Sequence, residues 1–143
     1  MQNSYIEFRI KDASRFDFLC NVFQALREAK KTDNFQNDDY WLAFFDKEAL
    51  SHFWWPTPAE VEEHNRLWFS TPVPQRFTDP ALETPWDFGS MIDAFRNGYY
   101  ELLQCTQVRA GVGRIEFMPY GHPYGGTDCM RALIESFQCE VTA

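Results

Sequence analysis

Arg114-Ile115-Glu116-Phe117, then MPYGHPYGGTD (Met118 to Asp128), then CMRALIESF (Cys129 to Phe137), then CEVT (Cys139 to Thr142) reads as strand, glycine-rich turn, helix and strand. Successive side chains alternate across a strand, so Ile115 and Phe117 face one way and Arg114 and Glu116 the other. The chain opens on a shorter version of the same unit. In Tyr5-Ile6-Glu7-Phe8-Arg9-Ile10, the residues Ile6, Phe8 and Ile10 share one face while Tyr5, Glu7 and Arg9 share the opposite one. A helix follows, with Phe18, Leu19, Val22, Phe23 and Leu26 on one side at helical spacing. Ser14 and Asp17 predict a capping box at its start. Two strand–helix arms thus enclose the middle of the chain.

Working inward, Thr32 to Asp39 is polar and reads as a loop. Tyr40 to Phe45 is a short apolar run flanked by aspartates, which predicts a strand buried on both faces. Asp46 predicts a short helix through Leu50, Phe53 and Trp54, and Pro56 stops it. Thr57-Pro58-Ala59-Glu60 places an N-cap threonine, a proline at N1 and a glutamate at N3, the signature of a helix start; this helix runs to about Phe69. Ser70 to Pro85 carries four prolines, and loops of that length often serve as lids or binding segments. Ser90 and Asp93 predict another cap, with Met91, Ile92 and Phe95 as the apolar stripe. Gly98 allows two readings, a helix that continues through it to Leu103 at a cost of about 1 kcal/mol relative to alanine, or a left-handed C′ glycine that ends it, and the second is preferred. Tyr99 to Val108 then forms a strand, turned by Arg109-Ala110-Gly111 into Val112 to Met118 as a hairpin.

The resulting class is α+β. The element order resembles a ferredoxin-like split βαβ sandwich: a four- to five-stranded, mainly antiparallel sheet with two helices on one face. A helical, aromatic-rich insertion is expected at about residues 46–98, within a single domain of 143 residues. Trp54, Trp55, Trp68 and Trp86 all fall in that insertion. They suit either its own core or a contact surface, because aromatics dominate both.

Composition narrows the function. The net charge of −8 argues against nucleic acid, whose phosphates call for clustered Lys and Arg. The one basic cluster, Arg27, Lys30 and Lys31, sits where a helix C-terminus favours cations. No apolar run reaches the ~18 residues of a membrane span, and the first residues lack the pattern of a signal peptide, so the cytoplasm is expected. The four cysteines, Cys20, Cys105, Cys129 and Cys139, form no C-x-x-C pair and no zinc spacing, and are expected to be small buried thiols. Neither a metal nor a cofactor is implied. His64 follows Glu60 by one helical turn, but two ligands do not make a metal site.

Two places offer chemistry. Glu7, Arg9, Arg114 and Glu116 alternate out of two strands that are central neighbours in such a sheet, so Glu7 is expected to meet Arg114 or Glu116 and Arg9 the other. They read as cross-strand ion pairs, unless the insertion folds over them and makes buried charges. The second place is the turn, with Tyr120, His122, Tyr124, Gly125, Gly126 and Thr127. Its glycines permit close backbone approach, and Thr127 is placed as an N-cap. No catalytic constellation is recognisable. The expected function is a non-catalytic binding or regulatory module, with a protein partner or a second copy of itself. The alternative is a small enzyme or ligand sensor taking a small anionic ligand at residues 114–128, under a lid made by Ser70 to Pro85.

Overall fold

The computed structural model describes residues 3–120 and 127–142. Four strands, β1 (Ser4–Arg9), β2 (Tyr100–Arg109), β3 (Val112–Pro119) and β4 (Glu140–Val141), form one antiparallel sheet in the order β2-β3-β1-β4. Ile6 lies opposite Ile115 and Phe8 opposite Gly113. The inward face of the sheet therefore carries the alternating apolar residues of both arms. The helix α1 (Ala13–Thr32) packs on it through Leu19, Val22, Phe23, Leu26 and Ala29. A second helix in the same layer, the last of the chain (α6, Asp128–Ser136), contributes Cys129, Met130, Leu133 and Ile134 to the same core.

Two glycines are explained by aromatic rings that lie where a side chain would go. A Cβ on Gly113 would stand 2.5 Å from Phe8 Cζ and 3.1 Å from Phe16 Cε1. The Phe8 ring thus lies across the backbone of β3. At Gly98 a Cβ would be 2.5 Å from the Tyr100 hydroxyl. The expected left-handed cap is not what Gly98 provides; its backbone is extended, at φ −63° and ψ 136°. Lys30 takes over that end of the helix instead, donating from Nζ to the carbonyls of Phe95 (2.8 Å) and Gly98 (2.9 Å) and lying 4.7 Å from the Tyr100 ring centre.

Four helices connect α1 to β2: α2 (Asp38–Leu42), α3 (Lys47–Leu50), α4 (Pro58–Ser70) and α5 (Phe88–Asn97), with single 3-10 turns at Val73–Gln75 and Pro80–Leu82. The expected strand at residues 40–45 is a correction: its first part is α2, and the helical connection begins at Asp38. Asn37 caps α2 by accepting from the Tyr40 amide, and Asp38 and Asp39 sit at the positive end of its dipole. Trp41 on α2, Phe45 in the link that follows and Ala49 on α3 are all buried. Trp41 satisfies its indole N–H on the Gln36 carbonyl at 3.1 Å.

Two other caps also differ. Asp12, not Ser14, caps α1, accepting from the Ser14 amide; Asp87, not Ser90, caps α5, accepting from the Ser90 amide. An aspartate earlier in sequence competes for the same free N–H groups and gains from the dipole. Thr57 and Glu60 form the predicted capping box on α4.

The connection packs against the helical layer. Phe45 meets Phe137 at 5.1 Å and Phe88 at 4.9 Å between ring centres, and Phe53 meets Phe88 at 5.3 Å. Arg15, at the start of α1, forms a two-pronged pair with Asp46, the N-cap of α3, and lies over the rings of Phe18 and Phe137. This clamp fixes the first half of the connection to the core. The second half is different: α4 has no buried residue.

Candidate functional site

On the open face of the sheet, Glu7 stands opposite Arg114, and Tyr5 stands opposite Glu116. Arg114 donates to Glu7 Oε2 from Nε at 3.2 Å and from its terminal nitrogen at 2.5 Å. It also lies 3.6 Å from Glu116 Oε1, and its guanidinium covers the Tyr5 ring at 4.2 Å. Arg109 reaches Glu7 from the end of β2 at 3.5 Å. The Arg114 hydrogen bonds hold the Glu7 carboxyl below its ordinary range and, in return, push Arg114 up. Glu116 also accepts from Gln104 across the strand. Arg9 departs from expectation: its neighbour on β3 is Val112, and its charge pairs at 3.6 Å with Glu140, which stands opposite it on β4. The resulting ladder is internally neutralised. These side chains shelter one another along the sheet, while the helical connection packs on the other side through α1 and α6.

The turn is split. Tyr120 is 47 % exposed, packs edge-on against Tyr99 at 5.4 Å, and lines a hollow of about 270 Å³ with Arg27, Lys30 and Lys31 of α1. It is thus brought to α1 and not to Arg114, which projects from the opposite face. Thr127 occupies the N-cap position of α6 but makes no capping hydrogen bond with its side chain, a correction to the expected role. His122, Tyr124, Gly125 and Gly126 lie outside the described residues. The cationic look of the hollow has a structural cause: Lys30 is bound to two carbonyls, and burial pushes its pKa down.

A third place emerges that sequence reasoning did not assemble. The segment after α3 holds Trp55, Val61, Phe69, Val73 and Phe77 exposed, with Phe69 at 76 % and Phe77 at 88 %. Trp68 packs edge-on against Phe77 at 5.5 Å, and the Arg76 guanidinium lies 5.3 Å from the Trp68 ring and 5.9 Å from the Phe69 ring. Arg76 is held there by its Nε, which donates to the Thr71 carbonyl at 3.1 Å. Trp68, Phe69, Arg76 and Phe77 therefore form one contiguous surface cluster across the α4 C-terminus and the proline-rich turns. Beside it, a groove of about 390 Å³ runs between α4 and the second 3-10 turn, walled by Trp54, Leu67 and Ala81 and edged by Glu60, Glu63 and Glu83. His64 closes one wall through a 3.2 Å contact between Nε2 and the Leu82 carbonyl. The available signal was large apolar residues, Val73 and Phe77, in a proline-rich stretch without strand or helix periodicity.

Among the described residues no group of three or more His, Cys, Asp or Glu side chains is placed to hold a metal ion, and no helix is long and apolar enough to cross a membrane. The chain matches no family model, no curated protein and no solved structure.

Proposed function

We propose that this chain is a non-catalytic protein-interaction module, in which a ferredoxin-like α+β scaffold presents the α4 lobe to a protein partner. The observation that carries it is the Trp68–Phe69–Arg76–Phe77 cluster, with Phe69 and Phe77 exposed, at the end of a helix that has no fully buried residue and in the turns that follow it. Exposed contiguous apolar surface of this kind marks contact sites, and Trp and Arg are the residues most enriched where binding energy concentrates. The strand order β2-β3-β1-β4, with α1 and α6 in the connections, supports the split βαβ reading of the scaffold.

The partner is a protein with an apolar groove bordered by Lys and Arg. Between Thr57 and Thr84 five carboxylates (Glu60, Glu62, Glu63, Asp79, Glu83) face only two arginines (Arg66, Arg76), on a chain of net charge −8. Complementary charge of that sign steers encounter and suppresses wrong partners. The anion-site alternative at residues 114–128 has less support, because Arg114 already has Glu7 and Glu116 beside it. The four free thiols suit a reducing compartment such as the cytoplasm.

The test places a photo-crosslinking phenylalanine analogue at position 77, and at position 5 as control, in the full chain expressed in its native cells. The expected result is one adduct specific to position 77, mapping to a groove rich in Lys and Arg. The purified adduct protein should bind the full chain, more weakly at high salt, and at least tenfold more weakly to Phe69→Ser/Phe77→Ser. Self-adducts would assign the patch to a second copy instead. Equal labelling at both positions, or binding indifferent to the double substitution, overturns the reading.

A further inference from the structure

Cys20 lies on α1 and Cys105 on β2, 85 positions apart in sequence, yet their sulfurs are 3.7 Å apart. That is van der Waals contact between two sulfur atoms. The Cys20 thiol also lies 3.5 Å from the Cys105 carbonyl oxygen. Simple alternation would not bring them together. Leu102 faces the core, so Cys105, three residues on, belongs on the open face. A register shift between Leu102 and Gln104 inserts an extra residue, turns Gln104 and Thr106 outward, and aims Cys105 at α1 beside Ile115. Both cysteines are only partly buried, whereas Cys129 and Cys139 are fully enclosed.

We propose that Cys20 and Cys105 are a reversible dithiol–disulfide pair that closes under oxidising conditions and ties the middle of α1 to the edge strand β2. The co-reactant is a small disulfide of the glutathione class. The Cys20 thiolate attacks one sulfur of the oxidant; that S–S bond breaks, and the departing thiolate takes up a proton. The Cys105 thiolate then attacks the Cys20 sulfur of the mixed disulfide and expels the second small thiolate, which is protonated in turn. The protein loses two protons and two electrons, and one small disulfide becomes two small thiols. The order follows the environment. The contact between the two sulfurs holds the Cys20 thiol below its ordinary value, and the same contact together with burial pushes Cys105 up. The attacking group is thus the sulfur on the helix, and the resolving group is already in contact with it. Disulfides of this kind in reducing compartments are transient and responsive rather than structural.

The experiment equilibrates the full chain in reduced and oxidised glutathione at a series of ratios, quenches with acid, alkylates in denaturant and measures intact mass and linked peptides. The expected result is loss of two of the four alkylatable thiols with no glutathione retained, and a linked peptide joining Cys20 to Cys105. Cys20→Ser and Cys105→Ser should each abolish that loss, while Cys139→Ser should leave it in place. Peptide mapping of the unsubstituted chain decides the matter even where a serine variant folds poorly. Four alkylatable thiols in excess oxidant, stable glutathione adducts without a protein disulfide, or a link through Cys129 or Cys139 would each overturn the proposal.

Discussion

Gly113→Ala tests whether the inner face of the sheet is packed as described. The new Cβ would stand 2.5 Å from Phe8 Cζ, whereas carbon atoms in contact settle at about 3.5–4.0 Å. The Phe8 ring must therefore retreat by about 1 Å or more. It has nowhere to go: Phe8 is fully buried, and Phe16 lies 6.1 Å away between ring centres. Interiors are packed too tightly to absorb such a shift, and overpacking costs about 1–3 kcal/mol. Alanine recovers roughly 0.5–1 kcal/mol of backbone entropy relative to glycine in a strand. The expected net loss is about 1 kcal/mol, which at an m-value of about 2 kcal/mol/M moves the urea midpoint down by about 0.5 M. Phe8→Leu removes the offending ring edge. The double variant should then be more stable than the sum of the two singles predicts, by about 1–2 kcal/mol. Gly111→Ala is the contrast. Gly111 has φ +71° with open space around it, so its loss of about 1 kcal/mol comes from backbone strain and should add to Phe8→Leu without coupling. Urea melts of the six proteins (the parent, the three single variants and the two doubles with Phe8→Leu), with a common m-value, check this. Gly113→Ala within about 0.5 kcal/mol of the parent, or strict additivity with Phe8→Leu, would refute the account of β3.

Asp46 is held at a pKa of about 2 by its Arg15 partner. A depressed carboxylate stabilises the fold above its unfolded pKa and loses that contribution as pH falls toward the folded value. Between about pH 4 and pH 2 the parent should therefore lose more stability than Asp46→Asn, as read by acid titration of the melting midpoint. Thr57→Ala removes the α4 cap, costing about 1 kcal/mol. Because no residue of α4 is fully buried, this should appear as about fivefold faster amide exchange within α4, with the global melt unchanged. Phe69→Ser/Phe77→Ser should leave stability within about 0.5 kcal/mol of the parent, since both side chains are exposed; a larger loss in thermal melts would mean that the cluster serves the fold.

The sequence by itself determined what local physics controls. The alternation in Tyr5 to Ile10 and in Arg114 to Phe117 specifies which side chains face inward, since a strand has a period of two. The box of Thr57, Pro58 and Glu60 specifies a helix start because its donors and acceptors lie within four residues. That Glu7 would meet Arg114 or Glu116 followed from that alternation once the strands were taken as neighbours; the register made it Arg114. Tertiary structure decided the rest. Tyr40 to Phe45 has strand-like residues, but Trp41 and Phe45 find a helical layer to pack on, and packing overrides propensity in so short a run. Arg9 pairs with Glu140, and Lys30 caps a helix 65 residues away, because long side chains take partners that only the fold supplies. The bulge in β2 turns Cys105 toward Cys20, a reversal of faces that one inserted residue causes and composition does not announce. The exposed cluster on α4 belongs to the same class. Trp68, Phe69, Arg76 and Phe77 are scattered through a helix end and a proline-rich turn, and whether such residues are core or surface depends on which neighbours the rest of the chain brings to them.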